Sequence, residues 1–363
     1  MMADPNELAV RIQELVDQRL TLEKQLQDEK SEMSDAQSWS YDDQYNGIQR
    51  QLSALFRTAA DDAPRITIML ELMRILENRL VYLQHFVVEP TADHRVLAQL
   101  VTQFIDQTSD ARSGVLTNLE AIYYRAVAAL YAGDLGRARQ CFRDACASEE
   151  SDEANDIKYK SYVMLGHLSH DEKDYAGAKQ LHHESLRYSN NRNVTAQALA
   201  LKALNSYALG DYDESLHLFE ESLQLFDADQ PFFNSYFFRN ALLFCGAIWF
   251  DRKDLKKSAG YYRRVVENVE PASYDAFDAL SHIGRIHYLE GKYAEATVAL
   301  EQAVQSHRFN ENEYVVDTWF WIARACLKGD EREKARGYLE KIAASEVAYE
   351  KKPQAAELLQ RIA

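Results

Sequence analysis

Two sets of histidines are the first residues to weigh for chemistry. His167 and His170 stand three apart, so a helix would put them on one face, with Asp171 next in line. His182 and His183 follow on the next segment. Imidazoles so spaced are a ligand type that zinc takes, and a metal-dependent enzyme is the chemistry they would support. Against this, no motif fixes a third ligand, and histidine at helical spacing is ordinarily solvated or packed. His282 and His287, five apart, do not share a face. The four cysteines, Cys141, Cys146, Cys245 and Cys326, form no C-x-x-C pair. Cys141 and Cys146 would point about 140° apart on a helix, so reduced, packed thiols are expected. Glu149, Glu150, Asp152, Glu153 and Asp156 form an acidic run of the kind that is usually solvated. No phosphate-cradling glycine loop, nucleophile elbow, H-E-x-x-H or calcium-loop pattern occurs. The expectation is a non-catalytic protein with no metal and no cofactor.

The composition excludes further classes. The chain has 363 residues with 41 Lys and Arg against 57 Asp and Glu, a formal net charge of -16. Phosphate recognition needs clustered cations, so a nucleic-acid partner is disfavoured. Hydrophobic residues are 47% of the chain, yet the longest wholly apolar run, Ala241 to Phe250, is half the roughly 20 residues of a membrane span. Gly numbers 13 and Pro 6, too few for the many tight turns of an all-β protein. Met1 to Arg19 carries Asp4, Glu7 and Glu14 and so lacks both the basic start and the continuous apolar core of a secretion signal. A cytoplasmic, all-α protein is expected.

The elements that would position any site come from an internal repeat. Gly133-Asp134-Leu135 is followed by Ala138 and Phe142, Lys173-Asp174-Tyr175 by Ala178 and His182, and Gly210-Asp211-Tyr212 by Ser215 and Phe219. Lys253-Asp254-Leu255 leads to Ser258 and Tyr262, Gly291-Lys292-Tyr293 to Ala296 and Leu300, and Asp330-Glu331-Arg332 to Ala335 and Leu339. Seven positions before each start stands another small residue: Ala126, Gly166, Ala203, Gly246, Gly284 and Ala323. Small side chains at both places let two helix backbones cross closely, and the large residue one turn on fills the gap. Each unit therefore reads as helix, short turn and antiparallel helix, whose apolar faces are buried only by stacking.

These residues resemble the tetratricopeptide repeat, and Trp319 stands in the last unit where that family favours Trp. The resemblance spans about 116–345. The units are longer than the family's usual repeat, and Lys173 and Lys253 replace the turn glycine. It implies an α-solenoid of about six helix pairs, in which the first helix of each unit lines a concave face. By alignment on the small residues, the lining implied in the first three units includes Tyr123, Val127, Val163, His167, Leu204 and Tyr207. In the last three it includes Leu243, Phe250, Arg285, Tyr288, Phe320 and Arg324. That surface is apolar and aromatic with two arginines at one end, which suits an amphipathic helix or an apolar peptide. Members that clamp the acidic tails of chaperones need Lys and Asn where Tyr123 and Val127 stand, so such a clamp is not expected.

Outside the array, 1–38 reads as an amphipathic or coiled-coil helix, from the seam Leu8, Ile12, Leu15, Leu22 and Leu26, broken by Arg19. It either packs on a bundle or supports a homo-oligomer through residues 6–33. A helical module over 39–112 follows, with a loop from Ser38 to Asn46, helices at about 44–59, 64–86 and 93–106, and a break at Glu89-Pro90-Thr91. The array takes 113–345, and a capping helix starting near Pro353 takes 346–363. The aromatic stretch Pro231 to Phe238, in the longest inter-unit interval, serves either as a docking patch or as a plug between units. The leading expectation is a scaffold or adaptor that binds a protein segment. The alternative is a peptide-sensing cytosolic signal regulator with N-terminal effector helices, similar in architecture to the peptide-pheromone-sensing regulators of Gram-positive bacteria.

Overall fold

The small residues and turns of the repeat set the backbone. In a computed structural model of the chain, residues 5–28, 35–59, 62–82, 92–108, 116–149, 152–226, 232–269, 271–306 and 312–362 are described. Seventeen α-helices and one short 3-10 turn account for nearly all of them, with no strand among the described residues. The N-terminal helices are α1 (Pro5–Asp28), α2 (Asp35–Thr58), α3 (Asp62–Tyr82) and α4 (Ala92–Thr108). The first three repeats pair α5 (Asn118–Ala132) with α6 (Leu135–Cys146), α7 (Asp152–Asp171) with α8 (Tyr175–Ser185), and α9 (Arg192–Ala208) with α10 (Tyr212–Leu225). The last three pair α11 (Phe232–Asp251) with α12 (Leu255–Asn268), α13 (Tyr274–Leu289) with α14 (Tyr293–Ser306), and α15 (Glu313–Lys328) with α16 (Arg332–Ala344). Helix α17 (Lys352–Ile362) closes the chain. The chain divides into two compact units, one extending to Asn234 and the other from Ser235 to Ala363.

All six turn starts found in the sequence adopt the left-handed conformation. Gly133, Gly210 and Gly291 do so without steric cost, while Lys173, Lys253 and Asp330 hold φ of 64°, 65° and 61°. For an L side chain that region costs about 1–2 kcal/mol. The turn repays it by satisfying orphan carbonyls at the end of the first helix. Lys173 N donates to His170 O at 2.8 Å and Asp174 N to Ser169 O at 2.9 Å, and Lys253 and Asp254 repeat the pattern on Phe250 and Trp249. The following aspartate then starts the second helix. Asp134, Asp174, Asp211 and Asp254 each accept from the backbone N–H three residues on, at Arg137, Gly177, Glu214 and Lys257. Glu331 makes no such bond in the sixth unit.

The helix crossings follow the small residues. Ala126, Ala138, Ala178, Ala203, Ala296, Ala323 and Ala335 are fully buried. Ser215 Oγ donates to Ala203 O at 3.0 Å and Ser258 Oγ to Gly246 O at 2.8 Å, so the hydroxyl at the crossing is satisfied by the facing helix. Phe142, Phe219, Tyr262, Leu300 and Leu339 fill the gaps and are buried to within a percent or so. A side chain at Gly246 would strike the Tyr262 ring, and one at Gly284 would strike Leu300.

Several expectations for the flanks change. Leu8, Ile12, Leu15 and Leu22 are buried within the chain, in one core with Tyr45, Leu52, Ile68, Leu72, Leu76, Val101 and the first repeat. From Leu8 to Leu22 the seam is thus packed inside the N-terminal bundle, as the bundle-packing alternative expects. Arg19, which breaks the seam, is 4% exposed and donates to Glu71 on α3 at 2.7 Å and to Glu23 at 2.5 Å. The loop expected at Ser38 to Asn46 is helical, inside α2, which also runs across the boundary drawn between 38 and 39. Its polar residues hid an inward face. Asp42 is buried, accepting from Asn46 at 3.0 Å and lying 2.9 Å from His94 Nε2, with Tyr45 beside it. The Glu89-Pro90-Thr91 break lies outside the described residues, as does Phe86. Phe232 to Phe238, the described part of the aromatic stretch, begin helix α11; Phe237 is buried and Tyr236 exposed. At the C-terminus Ala355, with Leu358, Leu359 and Ile362, covers Val316, Phe320, Leu339 and Ile342 of the sixth repeat.

Candidate functional site

The first helices α5, α7 and α9 carry the expected lining residues of the first unit. Tyr123, Val127 and Val163 are buried and offer no surface to a partner; His167, Leu204 and Tyr207 are half-buried. What covers part of this face is the N-terminal bundle. Glu77, on α3, accepts from Lys160 Nζ at 2.7 Å, Tyr124 Oη at 3.1 Å and Tyr123 Oη at 3.4 Å. Lys160 also pairs with Asp156 at 2.7 Å. Burial opposes the lysine charge, but the two carboxylates outweigh it and raise its pKa. Burial and the Glu77 charge push the Tyr123 phenol well above its ordinary value. Sequence reasoning missed Glu77, because nothing local distinguishes it from the other carboxylates of the chain.

The histidines first weighed for zinc do meet, but on an amide. Asn205 Nδ2 lies 2.9 Å from His182 Nδ1 and donates to Leu201 O at 2.8 Å, while its Oδ1 lies 2.9 Å from His170 Nδ1. His182 occupies the gap-filling place that Phe142 and Tyr262 take in their repeats, and its ring seats on Gly166. The His167 and His182 ring centroids are 5.5 Å apart, edge to face. Burial, then the neighbouring imidazole, lowers His167 to about 4 and His182 to about 3. These rings are neutral and packed. Among the described residues, no group of three or more His, Cys, Asp or Glu could hold a metal ion.

The second unit is differently furnished. Leu243 and Phe250 on α11 are half-buried, Phe250 lying edge-on to His282 at 5.8 Å with the Lys253 ammonium 5.7 Å from its centroid. Arg285 on α13 donates to Asp317 on α15 at 2.5 Å. Asp317 also accepts from Tyr349 Oη at 2.6 Å and Lys351 Nζ at 2.7 Å, which pins the segment before α17 onto the first helix of the sixth repeat. Burial works against the Asp317 charge, yet these donors and Arg285 hold its carboxyl below the ordinary range. Arg324 has a different setting. Its guanidinium carbon lies 4.6 Å from the Trp321 ring centroid, 4.9 Å from Tyr288 and 5.9 Å from Phe320, and no salt bridge reaches it among the described residues. Arg285 lies 5.6 Å from the same Trp321 ring, and Tyr288 meets that ring edge-on at 5.3 Å. Phe320 itself is buried. Trp321, Tyr349 and Lys351 were not anticipated; the Trp319-Phe320-Trp321 run was the available signal for the first of them.

Of the twelve lining residues, Arg285, Tyr288 and Arg324 therefore gather around one indole. Tyr123, Val127, Val163 and Phe320 are core, and the others stand half-exposed along their helices. No helix among the described residues is long and apolar enough to cross a membrane.

Comparison with known proteins places this architecture. Residues 278–308, the fifth helix pair, match the tetratricopeptide repeat family. RapI in its apo form is similar over 92% of this chain and 86% of its own length, with 13% identity and a TM-score of 0.56. A signal-transduction ATPase with numerous domains and a tetratricopeptide repeat sensor, from Pyrococcus horikoshii, is similar over 88% of this chain at 13% identity and a TM-score of 0.55. This chain spans about half of that protein, 49%. YrrB, described as a tetratricopeptide repeat protein with an unusual peptide-binding site, aligns over 55% of this chain and 91% of its own at 15% identity, with a TM-score of 0.42. No curated protein sequence matches the chain. Likeness at these identities speaks to fold alone. The match is confined to the fifth pair, and the six left-handed turns and six small-residue crossings repeat that pair's pattern along the array, so the chain is built of helix pairs like those of the tetratricopeptide repeat.

Proposed function

We propose that the protein is a non-catalytic cytoplasmic scaffold that binds a peptide or protein segment on the first-helix face of its repeats. The observation that supports this reading best is the nest around Trp321. Arg324 lies over Tyr288 and Trp321 with no salt bridge among the described residues, beside Arg285, which already has Asp317. A stacked guanidinium keeps its donor fork free for a carboxylate, and the flanking rings give a bound segment apolar area at little entropic cost. The favoured ligand carries an acidic group beside apolar side chains, as an amphipathic helix does. The test is selection from a displayed peptide library with the full chain. Selected peptides should be enriched in carboxylates next to apolar residues, and Arg324→Ala with Tyr288→Ala should weaken them roughly tenfold at unchanged helicity. Unchanged affinity would move the site off this face.

One observation favours the sensing alternative. Glu77 of the N-terminal bundle is held by Tyr123, Tyr124 and Lys160 on the first helices of the first two repeats. A ligand carboxylate that competes for Lys160 would loosen the bundle, which is how binding would become a signal. Solution scattering separates the readings: a selected peptide should change the envelope of a sensor and leave that of a static scaffold unaltered.

A further inference from the structure

The exposed face of α12, the second helix of the fourth repeat, is basic in an acidic chain. From Arg252 to Arg264 the sequence has six cations, Arg252, Lys253, Lys256, Lys257, Arg263 and Arg264, and one carboxylate, Asp254, in a protein of net charge -16. At 100° per residue, Lys256, Arg263, Gly260, Arg264 and Lys257 fall within an arc of about 120° and all are exposed; the one carboxylate in that arc, Glu267, stands in the last turn of the helix and leaves the face with a net excess of three cations. The corresponding helices vary: α10 carries Asp213, Glu214, Glu220 and Glu221 and no Lys or Arg, whereas α6 carries Arg137, Arg139 and Arg143 against Asp144, so the charge of this face is not set by the repeat.

Carboxylates are in excess in this chain, yet they do not neutralise the face. Among the described residues Lys256, Arg263 and Arg264 join no salt bridge; Lys257 approaches Asp254 at 3.8 Å, and Arg263 acts on Glu290 only at longer range. The Lys257 ammonium lies 3.7 Å from the Trp249 ring centroid, with Arg252 at 5.4 Å from the same ring, which fixes one end of the patch on an aromatic plate. The centre of the face is Gly260. A glycine within an exposed helix weakens it relative to alanine. Nothing in the structure requires it here: its φ is not positive, and a Cβ would meet no atom within 4 Å. Its consequence is bare backbone, ringed by four cations, that another chain can approach closely.

We infer that this face is a docking surface for a short acidic segment of a partner protein, on the opposite helix of the repeat from the first-helix residues and independent of them. The dimensions select that occupant. Lys253 to Arg264 covers about 16 Å, enough for a few carboxylates. A duplex or an anionic membrane would extend well past the patch, where the chain's excess negative charge repels it over a Debye length of about 8 Å.

The experiment is anisotropy of a labelled oligoglutamate peptide with the full chain at low and physiological salt. A short DNA duplex, phosphatidylserine vesicles and light scattering of the protein alone serve as parallel arms. Expected are peptide binding that falls with salt, a roughly tenfold loss in Lys256→Glu with Arg263→Glu, and a retained circular dichroism spectrum. Gly260→Ala should raise the melting temperature and yet weaken the peptide, a combination that a purely structural glycine would not give. Peptide binding that the charge reversal leaves intact would overturn the proposal. So would tighter binding of duplex or vesicles, or self-association that depends on Lys256 and Arg263, since the occupant would then be a different one.

Discussion

Mild acid is the sharpest probe of the packed histidines, and the expected loss can be worked out from their setting. His167 and His182 are lowered from an ordinary 6.5 to about 4 and about 3. Above 6.5 both the folded and the unfolded chain hold them neutral. As pH falls below 6.5 the unfolded chain takes up protons that the folded chain refuses, so stability is full above 6.5 and is lost towards the folded values. At pH 5 the binding polynomials give about 2 kcal/mol for each ring and about 4 kcal/mol for the pair. Because pH 5 lies at least a unit above both folded values, the result depends on the unfolded value and hardly on the depth of the shift. His167 keeps a partly exposed edge, so its share is an upper figure. The carboxylates held below their ordinary range, Glu214, Glu290 and Asp317, act in the same direction but only at lower pH, which leaves the window from 5 to 6.5 to the histidines.

The perturbation is His182→Phe, since an aromatic ring already fits the same place over Gly246 as Tyr262. Asn205 keeps Leu201 O as an acceptor when the imidazole is removed. Urea unfolding of both proteins at pH 7 and pH 5, at one ionic strength, reads the difference. The wild type should lose about 4 kcal/mol over that interval and the variant about 2 kcal/mol, whatever their stabilities at pH 7. Equal losses in the two proteins would refute the reasoning, because they would mean that His182 takes up its proton in the folded chain as readily as in the unfolded one.

Other outcomes follow from the packing. Gly284→Ala brings a Cβ within 3.2 Å of Ala296 O and against Leu300, and should lower stability by about 1–3 kcal/mol in thermal or urea melts; Gly260→Ala, with open space, should raise it by up to about 1 kcal/mol. Leu15→Ala in the N-terminal seam should cost about 2–5 kcal/mol with a midpoint independent of protein concentration, whereas a coiled-coil dimer would show a concentration-dependent one. Asp317→Asn should release the segment holding Tyr349 and Lys351, seen as faster amide exchange in 345–352 with α13 and α14 unchanged.

The array was legible because its determinants are local and repeated. A turn start and two small residues recur at fixed offsets in all six units and a capping aspartate in the first four, and each is a steric or capping requirement that only a few residue types meet. Lys173 and Lys253 obey the turn although they pay for it, because the aspartate cap and the two backbone bonds to the preceding helix hold them there. The flanks were harder to read for the opposite reason. Helix α2 is nucleated by contacts far away in sequence, with Asp42 meeting His94 and Gln49 donating to Asp93 O at 3.0 Å, and its own composition is polar enough to pass for a loop.

The same distinction governs the site. Alignment on the small residues tells which way a first-helix side chain points, but not what comes to cover it. Tyr123 points as the repeat requires and is nevertheless buried, because a carboxylate from α3, 46 positions away, lies above it. His182 shows the converse. Its place in the lattice, one turn past Ala178, was readable as a gap-filling position, and a position of that kind demands a neutral side chain. A pair of imidazoles three apart with a third on the partner helix suggests metal chemistry only if each has a lone pair directed at a common point. Here the lattice directs them into a helix crossing, where Asn205 takes up His170 and His182, and burial lowers the proton affinity of His167 and His182.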